Sequence, residues 1–205
     1  MTGTLPEVED LSARAHDWWA GLTEAWQRAF RIGVLQLPDG TDAPGEDDLT
    51  YLYRDAENIR LAGPGAHYPN LPFQLTDLSG LRDLGKVKML SITDMALVDL
   101  QDLQGLTQLE SLFIQDNGIT SLTGIEKLTQ LRQLYCQGNR IESLEPLSEL
   151  TNLETLNAGG NRLASFAGIT TAHAEALRTC VLLPNDGIRD RDILNFQQSA
   201  GIIVR

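Results

Sequence analysis

Positive charge is scarce in this chain. Sixteen Lys and Arg stand against 28 Asp and Glu over 205 residues, a formal net charge of −12. A nucleic-acid binder needs a basic stripe to replace condensed counterions. None is present, so nucleic acid is not an expected partner. Cysteine is scarce too. Cys136 and Cys180 lie far apart and make no disulfide framework; both fall at positions that read as buried small hydrophobes. No stretch approaches the ~18 apolar residues of a membrane span, and Met1–Asp10 is acidic, without the apolar core of a signal peptide. These features set the expectation of a cytoplasmic protein away from membranes. Its acidity suits solubility, or a basic protein partner reached by electrostatic steering.

Catalytic signatures are also missing. The chain has no G-x-S-x-G, no H-E-x-x-H, no P-loop and no dinucleotide fingerprint. Its three histidines, His16, His67 and His173, are scattered, and neither cysteine is near one in sequence. A non-enzyme with no cofactor and no bound metal is therefore expected. Asp94 and Asp116 occupy equivalent repeat positions and should be neighbours, but two acids fall short of the six to eight oxygens that calcium takes. They read as solvated surface.

What the sequence does have is a period. Asn117, Asn139 and Asn161 recur every 22 residues, as do Leu112, Leu134 and Leu156, and Leu109, Leu131 and Leu153. Ile119, Ile141 and Leu163 keep the same step, and so do Leu122, Leu144 and Phe166. One step back lie Leu90, Ile92, Leu97, Leu100, Leu103 and Leu106, and another gives Leu75, Leu78, Leu81, Leu84 and Val87. Each unit reads L-x-x-L-x-L-x-x-N-x-I-x-x-L-x-x-L-x-x-L. Alternation around Leu112 and Ile114 is the period-2 pattern of a strand. The later apolar residues, three apart, suit short 3₁₀-like turns. The asparagine amide can satisfy backbone groups where the chain leaves the strand. Met95 and Phe73 stand in the asparagine position of the two earliest units, which are therefore expected to pack by hydrophobic contact.

This pattern resembles the leucine-rich repeat, in the 22-residue class seen in internalin-like bacterial proteins. The resemblance covers Leu75 to Leu163 and implies an α/β fold, a curved solenoid with one parallel strand per repeat. Leu177, Cys180, Leu182 and Asn185 extend it through a unit with two inserted residues. A solenoid exposes its core at both ends and needs caps. Residues 1–58 read as a helical N-terminal cap, with one helix from Leu5 to Phe30 carrying Trp18, Trp19 and Trp26, and a second from Glu46 to Ala56. Residues 59–185 read as the solenoid, starting with an irregular strand at Asn58–Leu61. Residues 186–205 read as a C-terminal cap, with a helix at Asp190–Ala200 and a strand or plug at Ile202–Val204. A helix is also expected at Thr171–Leu177. The Gly/Pro-rich stretch Ala62–Leu71, holding His67 and Tyr68, adds nine residues to one period and reads as an extruded loop.

The outward positions of the strand ladder follow from the register. They are Met89, Ser91 and Thr93; Ser111, Phe113 and Gln115; Gln133, Tyr135 and Gln137; and Thr155 and Asn157. Phe113 and Tyr135 should lie side by side, ringed by the adaptable polar groups of Gln115, Gln133, Gln137 and Asn157, which can hydrogen-bond. Aromatics in such a setting are what a protein-binding hot spot needs. The expected function is a non-catalytic protein-binding module. The alternatives are an immunity or inhibitor protein that blocks a toxin or enzyme, a hydrolase with its site in the 63–71 loop, and a scaffold within a larger assembly.

Overall fold

The computed structural model describes residues 6–205. Six short strands form one parallel sheet in chain order: β1 (Asn58–Ala62), β2 (Met89–Thr93), β3 (Ser111–Phe113), β4 (Gln133–Tyr135), β5 (Thr155–Asn157) and β6 (Thr179–Val181). The repeat sets the register: Leu90 pairs with Leu112, Leu112 with Leu134, Leu134 with Leu156 and Leu156 with Cys180. The first strand, expected to be irregular, is regular and five residues long, with Ile59 opposite Leu90.

Each turn buries one side of its strand. Leu90, Ile92, Leu112, Ile114, Leu134 and Leu156 are fully inaccessible. The return path buries a leucine at every third residue, as at Leu97, Leu100, Leu103 and Leu106. Side chains three apart eclipse in a 3₁₀ turn, and four such turns occur, at Ser79–Leu81, Gln101–Leu103, Glu145–Leu147 and Thr171–His173. The last is far shorter than the expected Thr171–Leu177 helix. A reciprocal cap opens it: His173 Nδ1 accepts the Thr170 N–H at 3.1 Å, and its buried Nε2 lies 3.1 Å from the Leu147 carbonyl.

The asparagines sew the turns together. Asn139 Oδ1 accepts the Ile119 N–H at 3.1 Å, while its Nδ2 donates to the carbonyls of Ile114 at 2.9 Å and Cys136 at 3.0 Å. Asn161 makes the same bonds to Ile141, Cys136 and Ala158. Asn185 makes them to Leu163, Ala158 and Leu182, so the inserted residues leave the stitch intact. At the early end the expectation of purely hydrophobic packing is corrected. The Leu75 N–H donates to the Met95 thioether at 3.2 Å, so sulfur takes over the acceptor role of the missing amide oxygen. Phe73 does not occupy an asparagine position at all; it packs under the Arg28 guanidinium, 4.6 Å from its ring.

The N-terminal cap is built from three helices, not two. Helix α1 (Pro6–Gly21) breaks before α2 (Glu24–Ala29), and Leu5, expected to open the first helix, lies outside the described residues. The break sits at Thr23, which is extended and whose hydroxyl accepts the Trp26 N–H, an N-cap that restarts the helix. Ala25, just after the break, is exposed. A π-helical turn at Phe30–Val34 follows α2. Another, at Tyr51–Asp55, extends α3 (Glu46–Thr50) toward β1. Trp26 is fully buried, and its indole N–H donates to Asp77 Oδ1 at 3.1 Å. Its ring lies flat on Gly80, where a Cβ would come within 2.3 Å of the indole. Glycine is required there by space, not by backbone angle.

At the far end α4 (Asp190–Ala200) stops at Gly201, whose φ of 72° is left-handed. Phe196 stacks on Phe166 at 4.4 Å, joining this helix to the last regular repeat. Val204 bridges to Cys180, and the Arg205 carbonyl accepts the N–H groups of Leu182 and Leu183 at 2.9 and 3.1 Å. The closing segment is thus a strand fragment on the sheet edge as well as an apolar plug.

Two predictions follow from the interior. Asn139→Ala orphans a buried N–H and at least two carbonyls and is expected to lower unfolding free energy by about 4 kcal/mol. Met95→Leu removes one weak acceptor and is expected to cost about 1 kcal/mol. Urea denaturation compares the two, and equal losses would contradict the stitch. Burial also pushes the Cys136 and Cys180 thiols up to about 12 from an ordinary value of 9.0. Both thiols should therefore resist alkylation at pH 8 until the chain is unfolded. A pKa raised on folding leaves stability untouched below about pH 9 and erodes it as pH rises toward 12. Alkaline denaturation of Cys136→Ala should show less of that erosion.

Candidate binding face

Alternation along each strand leaves three outward columns. The first holds Met89, Ser111, Gln133 and Thr155, and the second holds Ser91, Phe113, Tyr135 and Asn157. The third lies just past the strands and holds Thr93, Gln115 and Gln137; the parallel ladder continues there, with Asp94 N–H bonded to the Gln115 carbonyl and Asp116 N–H to that of Gln137. All eleven residues named from the sequence share this face, and all but the exposed Gln133 are partly buried. Phe113 and Tyr135 stack with centroids 5.0 Å apart and planes within 15°. The polar groups around the pair bond little to one another. Ser111 reaches Gln133 at 3.5 Å, and Asn157 Oδ1 turns to the Gly159 N–H at 3.3 Å. The Oε1 atoms of Gln115 and Gln137 are buried without a donor. Side chains in one column point the same way, and amides held in parallel do not automatically offer an N–H to the neighbouring oxygen.

The 62–71 stretch is not extruded. It folds back toward the ends of β2 and β3 and is fastened at several points. The Gly65 N–H donates to Asp94 Oδ2 at 2.6 Å, and the Arg60 guanidinium donates to the Tyr68 carbonyl. Asn70 Nδ2 donates to the carbonyls of Gly33 and Arg60 at 3.1 and 2.8 Å, while its Oδ1 accepts the Ala62 N–H at 2.7 Å. Asn70 thus does for the long first repeat much of what the periodic asparagines do for the others, although it falls outside the 22-residue step. At the loop tip His67 and Tyr68 meet edge to face at 4.3 Å, and Tyr68 is 72% exposed.

Between loop and sheet lies a cleft of about 280 Å³, lined by Arg60, Gly65–Tyr68, Ser91, Thr93, Asp94, Gln115 and Asp116. Asp94 and Asp116 are neighbours here, as their spacing implies. Both hold left-handed backbone, with φ of 53° and 57°, and Gly138 and Gly160 continue the same position at 70° and 66°. A short polar side chain tolerates that conformation. Among the described residues, no three His, Cys, Asp or Glu converge to hold a metal ion.

A second ladder runs along the entry edge of the sheet. The residue before each strand is Glu57, Lys88, Glu110, Arg132, Glu154 and Arg178 in turn, and the backbone of each bonds to its predecessor. Their charges alternate without exception. Glu57 meets Lys88 at 2.7 Å and Arg132 meets Glu154 at 3.0 Å. The hydrogen bond that Lys88 donates to Glu57, with the charges of Glu57 and Glu110, holds its ammonium above its ordinary pKa. Its middle four members, Lys88, Glu110, Arg132 and Glu154, keep the 22-residue step and so are visible in the sequence itself.

Residues 107–149 and 129–171 match the family described as leucine rich repeats in two copies. No curated protein matches the chain by sequence. Among solved structures, an internalin C2 from Listeria monocytogenes superposes with a TM-score of 0.53 at 21% identity, over 89% of this chain and 92% of that one. A second Listeria monocytogenes internalin gives 0.51 at 19% identity, over 86% of this chain and 60% of its own. A leucine-rich-repeat protein of Leptospira interrogans gives 0.53 at 17% identity, over 70% and 40%. At such identities the likeness is one of fold. No helix among the described residues is long and apolar enough to cross a membrane. Repeat pattern, sheet register and structural likeness agree: the chain carries leucine-rich repeats and has an internalin-like solenoid fold.

Proposed function

We propose that the outward face of the sheet is a docking surface for another protein and that the chain acts by binding, without catalysis. The observation that carries this reading is the stacked Phe113–Tyr135 pair, held half-buried on a rigid sheet. Flat aromatics fixed by strand spacing lose little conformational freedom on contact, which suits them as anchors. Ser91, Ser111, Gln133, Asn157 and Thr155 surround them as an adaptable polar rim. Leucine-rich-repeat folds commonly serve as protein-binding scaffolds, and the net charge of −12 favours a basic partner.

The test is a comparison of two surface variants with the parent chain. Phe113→Ala combined with Tyr135→Ala should keep the fold, since both side chains stand outside the leucine core. It should also weaken partner binding by about 2 kcal/mol or more, as loss of a hot spot does. Val98→Ala, which truncates a side chain exposed outside the face, should bind as the parent does. Affinity purification with mass spectrometry identifies the partner, and titration calorimetry with that partner measures the loss. Undiminished binding by the double variant would reject the docking face.

A further inference from the structure

We propose that the cleft between the 63–68 loop and the ends of β2 and β3 receives an arginine side chain of the protein partner. This rests on the docking reading above and gives it a chemistry. Two carboxylates, Asp94 and Asp116, face one guanidinium in the lining, that of Arg60. Two carboxylates against one guanidinium leave the cleft with an excess of negative charge, and the Arg60 donor is directed to the Tyr68 carbonyl. The Asp94 carboxylate already takes one hydrogen bond, from Gly65 at 2.6 Å, which fixes its position at the mouth.

The supply of acceptors points the same way. Gln115 lines the cleft, and its Oε1 is buried without a donor, as is that of Gln137 on the next rung. A buried acceptor lacking a donor is unfavourable, and the terminal amide torsion is soft, so rotation toward an incoming N–H is favoured. The occupant must therefore bring positive charge and several donors at once. A guanidinium carries five N–H groups in a planar fork, whereas an ammonium is a compact point charge. The cleft's acceptors are spread over two strands, about 4.8 Å apart, which suits the fork.

The test uses the whole ¹⁵N-labelled chain titrated with N-acetyl-arginine methylamide, and in parallel with the citrulline compound, which keeps the shape and lacks the charge. The arginine compound should shift the amides of Asp94, Gln115 and Asp116 saturably, in the millimolar range expected for so small a ligand. The citrulline compound should not. Asp116→Asn, which retains the left-handed backbone, should weaken arginine binding about five-fold or more. Equal shifts with citrulline, no saturable shift, or indifference to Asp116→Asn would each overturn the assignment. The two readings separate against the purified partner. Loss of binding in the Phe113/Tyr135 double variant with full retention in Asp116→Asn would overturn the arginine cleft and leave the docking face standing. Saturable arginine binding together with an undiminished double variant would support the cleft and overturn the docking face.

Discussion

Everything in this fold hangs on one lateral bond pattern, the asparagine that joins each turn to the one before it. A solenoid has no contacts between distant turns, so its stability is a sum of neighbour terms. The leucines supply most of that sum, since a buried Leu contributes about 1.5–3 kcal/mol over an exposed one. Leucine packing is non-directional and so indifferent to small angular displacements, however. The amide of Asn139 is not, because it must meet Ile119, Ile114 and Cys136 together. Removing it trades a satisfied buried group for several orphans, which costs more than the bonds themselves contribute. The Met95 thioether shows the minimum the position demands, a single acceptor for the Leu75 N–H.

The face that is free to bind exists because the other face is fully occupied. Inward positions are committed to apolar residues, and the stitch lies at the bend, so the outward columns carry little structural duty. Where the first repeat runs nine residues beyond the 22-residue period, the extra chain cannot enter the stack. It folds over the strand ends instead, held by Arg60, Asn70 and Asp94. The cleft is thus a by-product of a length mismatch between the first repeat and the rest.

Much of this was legible in the sequence, and the failures have physical causes. The strands, the sheet order and the Phe113–Tyr135 contact follow from a 22-residue step and a period of two, both properties of the backbone. The α1–α2 break was not seen, because apolar spacing runs straight through Thr23 while capping geometry does not. The 62–71 loop was read as extruded because Gly and Pro report flexibility, not anchorage. Its anchors, Arg60 and Asn70, act through bonds to carbonyls that leave no periodic trace. The two donorless glutamine oxygens leave no sequence signal, because strand pairing fixes only where the side chains start, not how their amides turn.

The entry-edge charges carry a consequence of another kind. Exposed ion pairs contribute at most about 1 kcal/mol each, so the run from Glu57 to Arg178 adds little to stability. Its alternation nonetheless imposes parity. Excising one repeat would set Lys88 beside Arg132, whereas excising two would set it beside Glu154. Turns can be gained or lost without a like-charge junction only in pairs, so the length of such an array drifts more easily in steps of 44 residues than of 22.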